Sequence, residues 1–380
     1  MFATLLLFFC LVAQAAPEET PLTLEQALVA ADDRNLALQA IGYELDKADA
    51  QLSQAWGSVL PMASAGGSYR RADHVDEVDM GGSTDALAPL FEAMGIEMPD
   101  QESEPMVVSR VDNASAHLNL SVSLINPTAW SSIRVARRAV DLTELTIADT
   151  RQELLVGVAQ AWYLALMSDT VVSLQEAQVT SATHHLAVAE ARAKAGDGLR
   201  LDVIRAQTDL AAAKEGLLDA QRARETTRDT LGVLTGIGGL VIPVGEPTVD
   251  VPRGTDDELV SIALKQRSDL ATRRSSLELA EAQLGARRAQ FLPTVDLAWQ
   301  GTWQITPSTD MGSDDPTRWN AIVSLNVPLY AHHRYAGLDE GRAARSQIEA
   351  QLRDAEVKAE LAVRQARRDY ETAVDSVVLA

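Results

Sequence analysis

The sequence predicts a mainly α fold that also carries membrane-type β strands. Its unit is a duplicated helix–strand–strand–helix, with long coiled-coil helices and four amphipathic strands per chain. Three observations predict it. An internal repeat recurs at a constant offset of 232 residues. Four segments of about ten residues alternate apolar and polar with period two. From Pro127 to Gly196 no internal proline interrupts the chain, a stretch far longer than a globular helix.

In the repeat, Leu45, Ala48, Ala50, Gln51, Leu52, Leu60 and Pro61 return as Leu277, Ala280, Ala282, Gln283, Leu284, Leu292 and Pro293. Ser123-Leu124-Ile125-Asn126-Pro127 likewise resembles Ser324-Leu325-Asn326-Val327-Pro328, in the same order along each half. A first repeat over 16–248 holds a helix at 22–57, strands at 62–71 and 114–125, and long helices at 127–195 and 200–235. A second over 249–380 holds a helix at 256–291, strands at 294–305 and 319–328, and a helix at 335–380. By the duplication, that last helix should turn at a second tip and return. The chain stops at Ala380 before the turn, so the second repeat is expected to be truncated, its last hairpin missing.

Residues 1–15 read as a cleavable signal peptide. Leu5 to Val12 is a short apolar run, and Ala13-Gln14-Ala15 supplies small residues for cleavage, although no Lys or Arg precedes the run. Cys10, the only cysteine, lies inside it, so the mature chain is expected to have no disulfide and no cysteine metal site. Phe9 stands where a lipoprotein signal places a small residue, which argues against a lipidated Cys10. Beyond the signal no run of 18 or more apolar residues predicts a transmembrane helix.

The strands have two unlike faces. Ala63, Ala65 and Tyr69 oppose Ser64, Ser68 and Arg70; Ala116, Leu118, Leu120, Val122 and Leu124 oppose His117, Asn119, Ser121 and Ser123. Val295, Leu297, Trp299, Trp303 and Ile305 oppose Asp296, Gln300, Thr302 and Gln304; Trp319, Ala321, Val323, Leu325 and Val327 oppose Asn320, Ser324 and Asn326. About ten residues is the length of a tilted barrel strand crossing a membrane. Tyr69, Trp299, Trp303 and Trp319 fall on the apolar faces, where a membrane aromatic girdle needs them. The same alternation also suits a half-buried soluble sandwich. Residues 72–109, acidic and without Lys or Arg before Arg110, read as a long outer loop, and 307–316 as a shorter one.

As one helix, 127–195 would stretch about 100 Å at 1.5 Å per residue. Leu174, Ala177, Ser181, His184, Val188, Ala191 and Ala195 step by three and four. After Gly196-Asp197-Gly198 the stepping resumes at Val203, Ala206, Leu210, Ala213, Leu217, Ala220, Arg224, Thr227, Leu231 and Leu234. This heptad spacing predicts supercoiled helices and a hairpin tip between them. Leu199 and Leu201 at the tip read equally as loop packing or as docking contacts.

Four strands cannot close a barrel in lipid, where an open edge is not tolerated. Several copies must pool them: two give eight strands, three give 12 and four give 16, and an eight-stranded barrel is filled by its own side chains. The pattern therefore favours three or four copies. The net charge of −21 excludes the basic footprint of a nucleic-acid binder. It suits a solvated acidic surface, or a protein that handles cations or zwitterions. No nucleophile–base set or phosphate loop stands out, and the adjacent pairs His184-His185 and His332-His333 do not make a metal site. The reading is therefore no enzyme and no cofactor. A periplasmic coiled-coil adaptor and a trimeric structural or adhesin protein remain as competing classes.

The assembled pattern resembles the TolC-like outer-membrane efflux protein family (outer membrane factors). The residues that carry it are Leu22-Thr23-Leu24-Glu25-Gln26-Ala27-Leu28, the repeated Ala-x-Ala-Gln-Leu…Leu-Pro segments, Ala161-Trp162-Tyr163-Leu164, and Ala191-Arg192-Ala193-Lys194-Ala195-Gly196 followed by Leu201-Asp202-Val203-Ile204-Arg205-Ala206-Gln207. The resemblance implies a Gram-negative outer-membrane homotrimer with a 12-stranded β-barrel above a periplasmic α-barrel. It implies a passive export duct of a tripartite efflux or type I secretion system, embedded in outer-membrane lipid, with a periplasmic adaptor (membrane fusion) protein and an inner-membrane pump as partners. Adaptor docking at the hairpin tip would then fall on Gly196, Leu199 and Asp202, with Arg192 and Arg200 beside them. Where relatives carry a serine near the tip, Arg200 follows Leu199 here.

Overall fold

The computed structural model describes residues 20–78, 93–95, 106–109, 111–245, 253–306 and 315–379. The signal expected at 1–15, Cys10 and the middle of both strand-connecting loops lie outside the described residues. The contacts divide the chain into two units, one from the described parts of 1–47, 141–275 and 351–380, the other from 48–140 and 276–350.

The first unit begins with β1 (Thr20–Leu22) and α1 (Leu24–Arg34). Thr23 starts α1 with a capping box: its Oγ1 accepts from Gln26 N at 3.3 Å, and Gln26 Oε1 accepts from Thr23 N at 3.1 Å. The single helix expected at 22–57 is two helices, because Asn35 breaks it. Asn35 is extended (φ −69°, ψ 120°), and α2 (Leu36–Gly57) starts directly after it. Its Oδ1 accepts from Ala37 N at 2.8 Å and Leu38 N at 3.3 Å, capping α2, while its Nδ2 donates to Leu234 O at 2.8 Å. One buried side chain thus ends a helix, starts the next and ties both to a segment 199 residues away.

α3 (Pro127–Ala195) and α4 (Arg200–Thr235) are the long helices, and β6 (Val241–Pro243) follows them to pair in parallel with β1. Around that small sheet lies a core of Leu22, Ala27, Ala31, Val158, Ala161, Trp162, Ala165, Leu231 and Val241. α3 contains a window apolar and long enough to pass for a membrane span by length and composition, contrary to the expectation of none. Val158, Ala161, Trp162 and Ala165 of this helix are buried in the core, whereas Val156, Leu164 and Met167 between and beside them are more than half exposed. α4 ends at Gly236, in the left-handed region at φ 67°, where a Cβ would stand 2.7 Å from Arg34 O. Gly236→Ala is expected to cost about 1–3 kcal/mol from backbone strain and that close approach, read as a lower unfolding midpoint by circular dichroism.

The expected seam on α4 is buried or half-buried along its length, from Val203 through Ala213 and Ala220 to Leu231. On α3 the face differs from expectation. Leu174 is 66% exposed, and Ala177, Ser181, His184, Val188, Ala191 and Ala195 also face solvent in the single chain. The covered stripe is instead Val172, Gln175, Val179, Ala182, Leu186, Ala189 and Ala193. Gln175 reaches within 3.2 Å of where a Cβ on Gly216 of α4 would sit. Both stripes have heptad spacing, so periodicity alone could not decide which of them meets α4. Asp169 and Arg228 join the two helices at 2.7 Å, with the arginine side chain only 14% exposed.

α5 (Asp256–Gln266) and α6 (Ser268–Ala289) repeat α1 and α2 at the same offset of 232 residues, capping box included. Here Glu258 Oε2 accepts from Thr255 N at 2.9 Å. That bond, with the Thr255 hydroxyl, holds the Glu258 carboxyl below the usual carboxylate range. The helix expected at 256–291 is likewise broken, at Arg267 (ψ 126°), whose guanidinium clamps Asp269 while Asp269 Oδ1 accepts from Leu270 N.

The second unit holds the main sheet. β2 (Met62–Arg71), β5 (Asp112–Ile125), β7 (Thr294–Gln304) and β8 (Thr317–Asn326) pair antiparallel in the order β2-β5-β7-β8. The first loop is not wholly irregular: β3 (Asp76–Val78) and β4 (Met106–Ser109) pair within it. α7 (His332–Leu379) follows β8, and its Arg345 bridges Glu281 at 2.9 Å and Glu349 at 2.8 Å. Four helices, α2, α3, α6 and α7, contribute residues to both units.

Candidate functional site

The residues expected to carry function fall on two surfaces, the main sheet and the hairpin tip. The sheet's register sorts every strand residue onto one of two faces. Ala63, Leu120, Trp299 and Ala321 form one cross-strand row, and Ala65, Leu118, Gly301 and Trp319 form the next. Rows to either side hold Val122, Leu297 and Val323, and Gly67, Ala116 and Trp303. The alternating apolar sets of the four strands therefore fall on one face, in phase as far as Ser123, where a shift in β5 brings Ile125 opposite Val295, while Met62, Ala298 and Ile322 lie on the other face. The opposite face holds Ser64, Asn119, Gln300 and Asn320 in one row, and Gly66, His117, Thr302 and Arg318 in the next.

The apolar face is not covered within the chain. Tyr69, Trp319, Val323 and Leu325 are each more than 60% exposed, and Leu120 and Trp303 are also open. A contiguous apolar surface on this scale marks contact with a membrane or another protein. β2 and β8 are the sheet's two edges, with no in-chain partner on their outer sides among the described residues.

All four aromatics expected in a girdle lie on the apolar face, but at different levels. Tyr69 lies opposite Ala114 at the end remote from α2, Trp303 opposite Ala116, Trp319 opposite Gly301, and Trp299 opposite Leu120 in mid-sheet. The Trp299 indole folds along its own strand over Gly301, where a Cβ would meet it at 2.6 Å. Tyr69 donates its hydroxyl to Asp112 at 2.6 Å, and Arg71 lies 4.0 Å from the same carboxylate. At the strand–helix junctions, Trp130 in the first turn of α3 is 49% exposed, and Leu329 and Tyr330 are 89% and 76% exposed. Tyr330 stacks loosely on Tyr335, which in turn meets Phe291 edge-on at 5.1 Å. Sequence reasoning missed these junction aromatics. The available signal was their position just after Pro127 and Pro328, where each strand hands over to a helix.

At the tip, Gly196 has φ 88°, the left-handed conformation that closes α3. Asp197 N donates to Arg192 O at 3.0 Å. A Cβ on Gly198 would stand 2.9 Å from Ala193 N, so the turn lies tight against the helix it leaves. Leu199 is the N-cap of α4 and makes no side-chain capping bond. Asp202 sits in the first turn, where a carboxylate favours the helix dipole, and Arg192 and Lys194 sit in the last turn of α3, where cations do. Arg192, Gly196, Leu199, Arg200 and Asp202 are all exposed. Leu199 is 68% exposed, with Leu201 and Ile204 each 50% exposed beside it, so these side chains do not pack the loop.

The family model described as "Outer membrane efflux protein" matches residues 27–237 and 259–380. The fusaric acid resistance protein FusA of Burkholderia cepacia is 26% identical over 235 residues, 60% of this chain and 44% of that protein. The alkaline protease secretion protein AprF of Pseudomonas aeruginosa is 24% identical over 231 residues, 58% of this chain and 47% of its own length. These alignments thus span less than half of either relative. Among solved structures, the CmeC outer membrane channel of Campylobacter jejuni aligns with a TM-score of 0.71 at 16% identity, covering 93% of this chain and 73% of that one.

Proposed function

The chain belongs to the outer membrane efflux protein family, a family of channels rather than enzymes, and from that membership we propose that it is one subunit of an oligomeric duct across the outer membrane and periplasm. The single observation that carries this reading is the sheet. Four strands share one phase, one face is bare and apolar, and two edges are left open. Such a sheet is stable in lipid only when closed, and closure needs strands from further copies. Three copies give a 12-stranded barrel with a polar lumen. The exposed heptad stripe on α3 supplies a surface for helices of neighbouring copies, which supports a helical duct. Neither a periplasmic adaptor nor a structural coiled coil accounts for the bare, in-phase sheet.

In this reading conduction is passive, and no catalytic step belongs to the chain. Tyr69, Trp299, Trp303 and Trp319 sit against lipid, joined by Trp130 and Tyr330 at the strand–helix junctions. The tip docks a periplasmic adaptor, which links the duct to an inner-membrane pump. The test is the full-length product in the outer-membrane fraction. It should run as a heat-modifiable trimer and open channels in planar bilayers, and a water-soluble monomer would end the proposal.

The tip makes a separate prediction. Leu199→Asp should leave trimer assembly intact, because exposed substitutions rarely change stability by more than about 0.5 kcal/mol. Burying a leucine at an interface is worth about 1.5–3 kcal/mol, so adaptor affinity should fall by about tenfold or more. Copurification of adaptor with the trimer reads this directly.

A further inference from the structure

The polar face of the sheet carries its own charge pattern, against the acidic balance of the whole chain. Among the described strand residues this face presents Asp296 as its carboxylate, with Arg70, Arg318 and His117 as its basic groups. Asp296 lies near the helix-connected end, where its Oδ1 accepts from Ser123 Oγ at 2.5 Å. Arg318 lies six residues further up the sheet, opposite Thr302, about 20 Å away at the rise of an antiparallel strand. His117 stands two strands over in the same row, its imidazole occupying the space beside Gly66. Arg318 is exposed, and Thr302, its partner on β7, is uncharged.

We propose that this row is a cationic band in the barrel lumen, with Arg318 as its principal charge, that makes the duct favour anionic over cationic small solutes. The inference rests on the barrel reading above, which turns the polar face inward. Closure brings the β2 edge of another copy beside β8, and the polar face of β2 is Met62, Ser64, Gly66, Ser68 and Arg70. That strand offers no carboxylate to neutralise Arg318 in any register. With three copies, three guanidinium groups share one level of the lumen. The Debye length is about 8 Å at physiological salt, so their fields reach into the pore, and at 1 M it falls to about 3 Å. Rings of charged side chains set ion preference in pores by this means.

The experiment uses the assembled full-length protein in planar bilayers under a KCl gradient, with the reversal potential giving the chloride-to-potassium permeability ratio. The wild-type ratio should exceed one near 0.1 M salt and approach the free-solution value near 1 M. Arg318→Gln should lower it by roughly twofold or more, Arg318→Glu should invert it, and Asp296→Asn should raise it. Heat-modifiability and single-channel conductance verify that each variant still assembles. If channels open normally but the wild type prefers potassium, or Arg318→Gln leaves the ratio unchanged, the band is refuted while the duct stands. If no channel opens at all, the duct reading falls and the band falls with it.

Discussion

Trp162→Ala is expected to leave little folded protein. Trp162 is 1% exposed and is the largest side chain in the core around the β1–β6 sheet. Its ring meets Tyr163 edge-on at 5.4 Å, and its Nε1 donates to Leu22 O at 3.1 Å. Removing a buried tryptophan costs about 3–5 kcal/mol, a large share of the roughly 5–15 kcal/mol by which a typical protein is stable. The loss also falls where β1, the first described strand, is held against a segment more than 200 residues away. Trp162→Phe separates packing from hydrogen bonding. It keeps most of the apolar contact, and Leu22 O retains its bond from Val244 N at 2.9 Å, so the cost should be nearer 1 kcal/mol. Urea unfolding followed by the helical circular dichroism signal should rank the two variants in that order. Equal midpoints for Trp162→Ala and wild type would remove Trp162 from its place as the anchor of this core.

That anchor shows what the sequence made legible and what it did not. Ala161-Trp162-Tyr163-Leu164 was visible as a stretch shared with a family, yet nothing in its spacing showed that Trp162 reaches the carbonyl of Leu22. The partner strands are three residues each, too short for any period, and their pairing is a tertiary fact. Punctuated elements were legible: Pro127 and Gly196 bracket α3. So was the duplication, because an offset of 232 needs only matching residues. The breaks at Asn35 and Arg267 were hidden inside helical patterns, since an asparagine or arginine is not a strong helix breaker. Their extended backbones are set by side-chain bonds to neighbours and, for Asn35, to Leu234. At the tip, exposure of Leu199 required the folded turn, whereas Gly196 and Gly198 announced the turn itself. On the strands, alternation showed which face each aromatic shares but not its height, because height comes from cross-strand register.

The sharpest consequence of that register is a pair of neighbouring substitutions with opposite outcomes. Leu120→Arg should block assembly, and Asn119→Arg should not. Leu120 lies in the middle of the apolar face, in the row of Ala63, Trp299 and Ala321. In a closed barrel that position meets the hydrocarbon midplane, where an arginine costs about 2–4 kcal/mol per copy. Each copy in the oligomer bears that cost, so a trimer carries it three times over. Asn119, one residue away on the same strand, lies in the polar row of Ser64, Gln300 and Asn320. There an arginine points into water and should leave the heat-modifiable oligomer in the outer-membrane fraction. A soluble sandwich would give a different result. Its inner face would be the apolar one, but it would bury that face against protein within one chain, and monomeric Leu120→Arg protein would misfold without any membrane involvement. Comparing both variants in the membrane fraction and in detergent-free extract distinguishes the two cases. If Asn119→Arg fails and Leu120→Arg assembles, the faces are reversed and the lipid-facing assignment of Tyr69, Trp299, Trp303 and Trp319 fails with them.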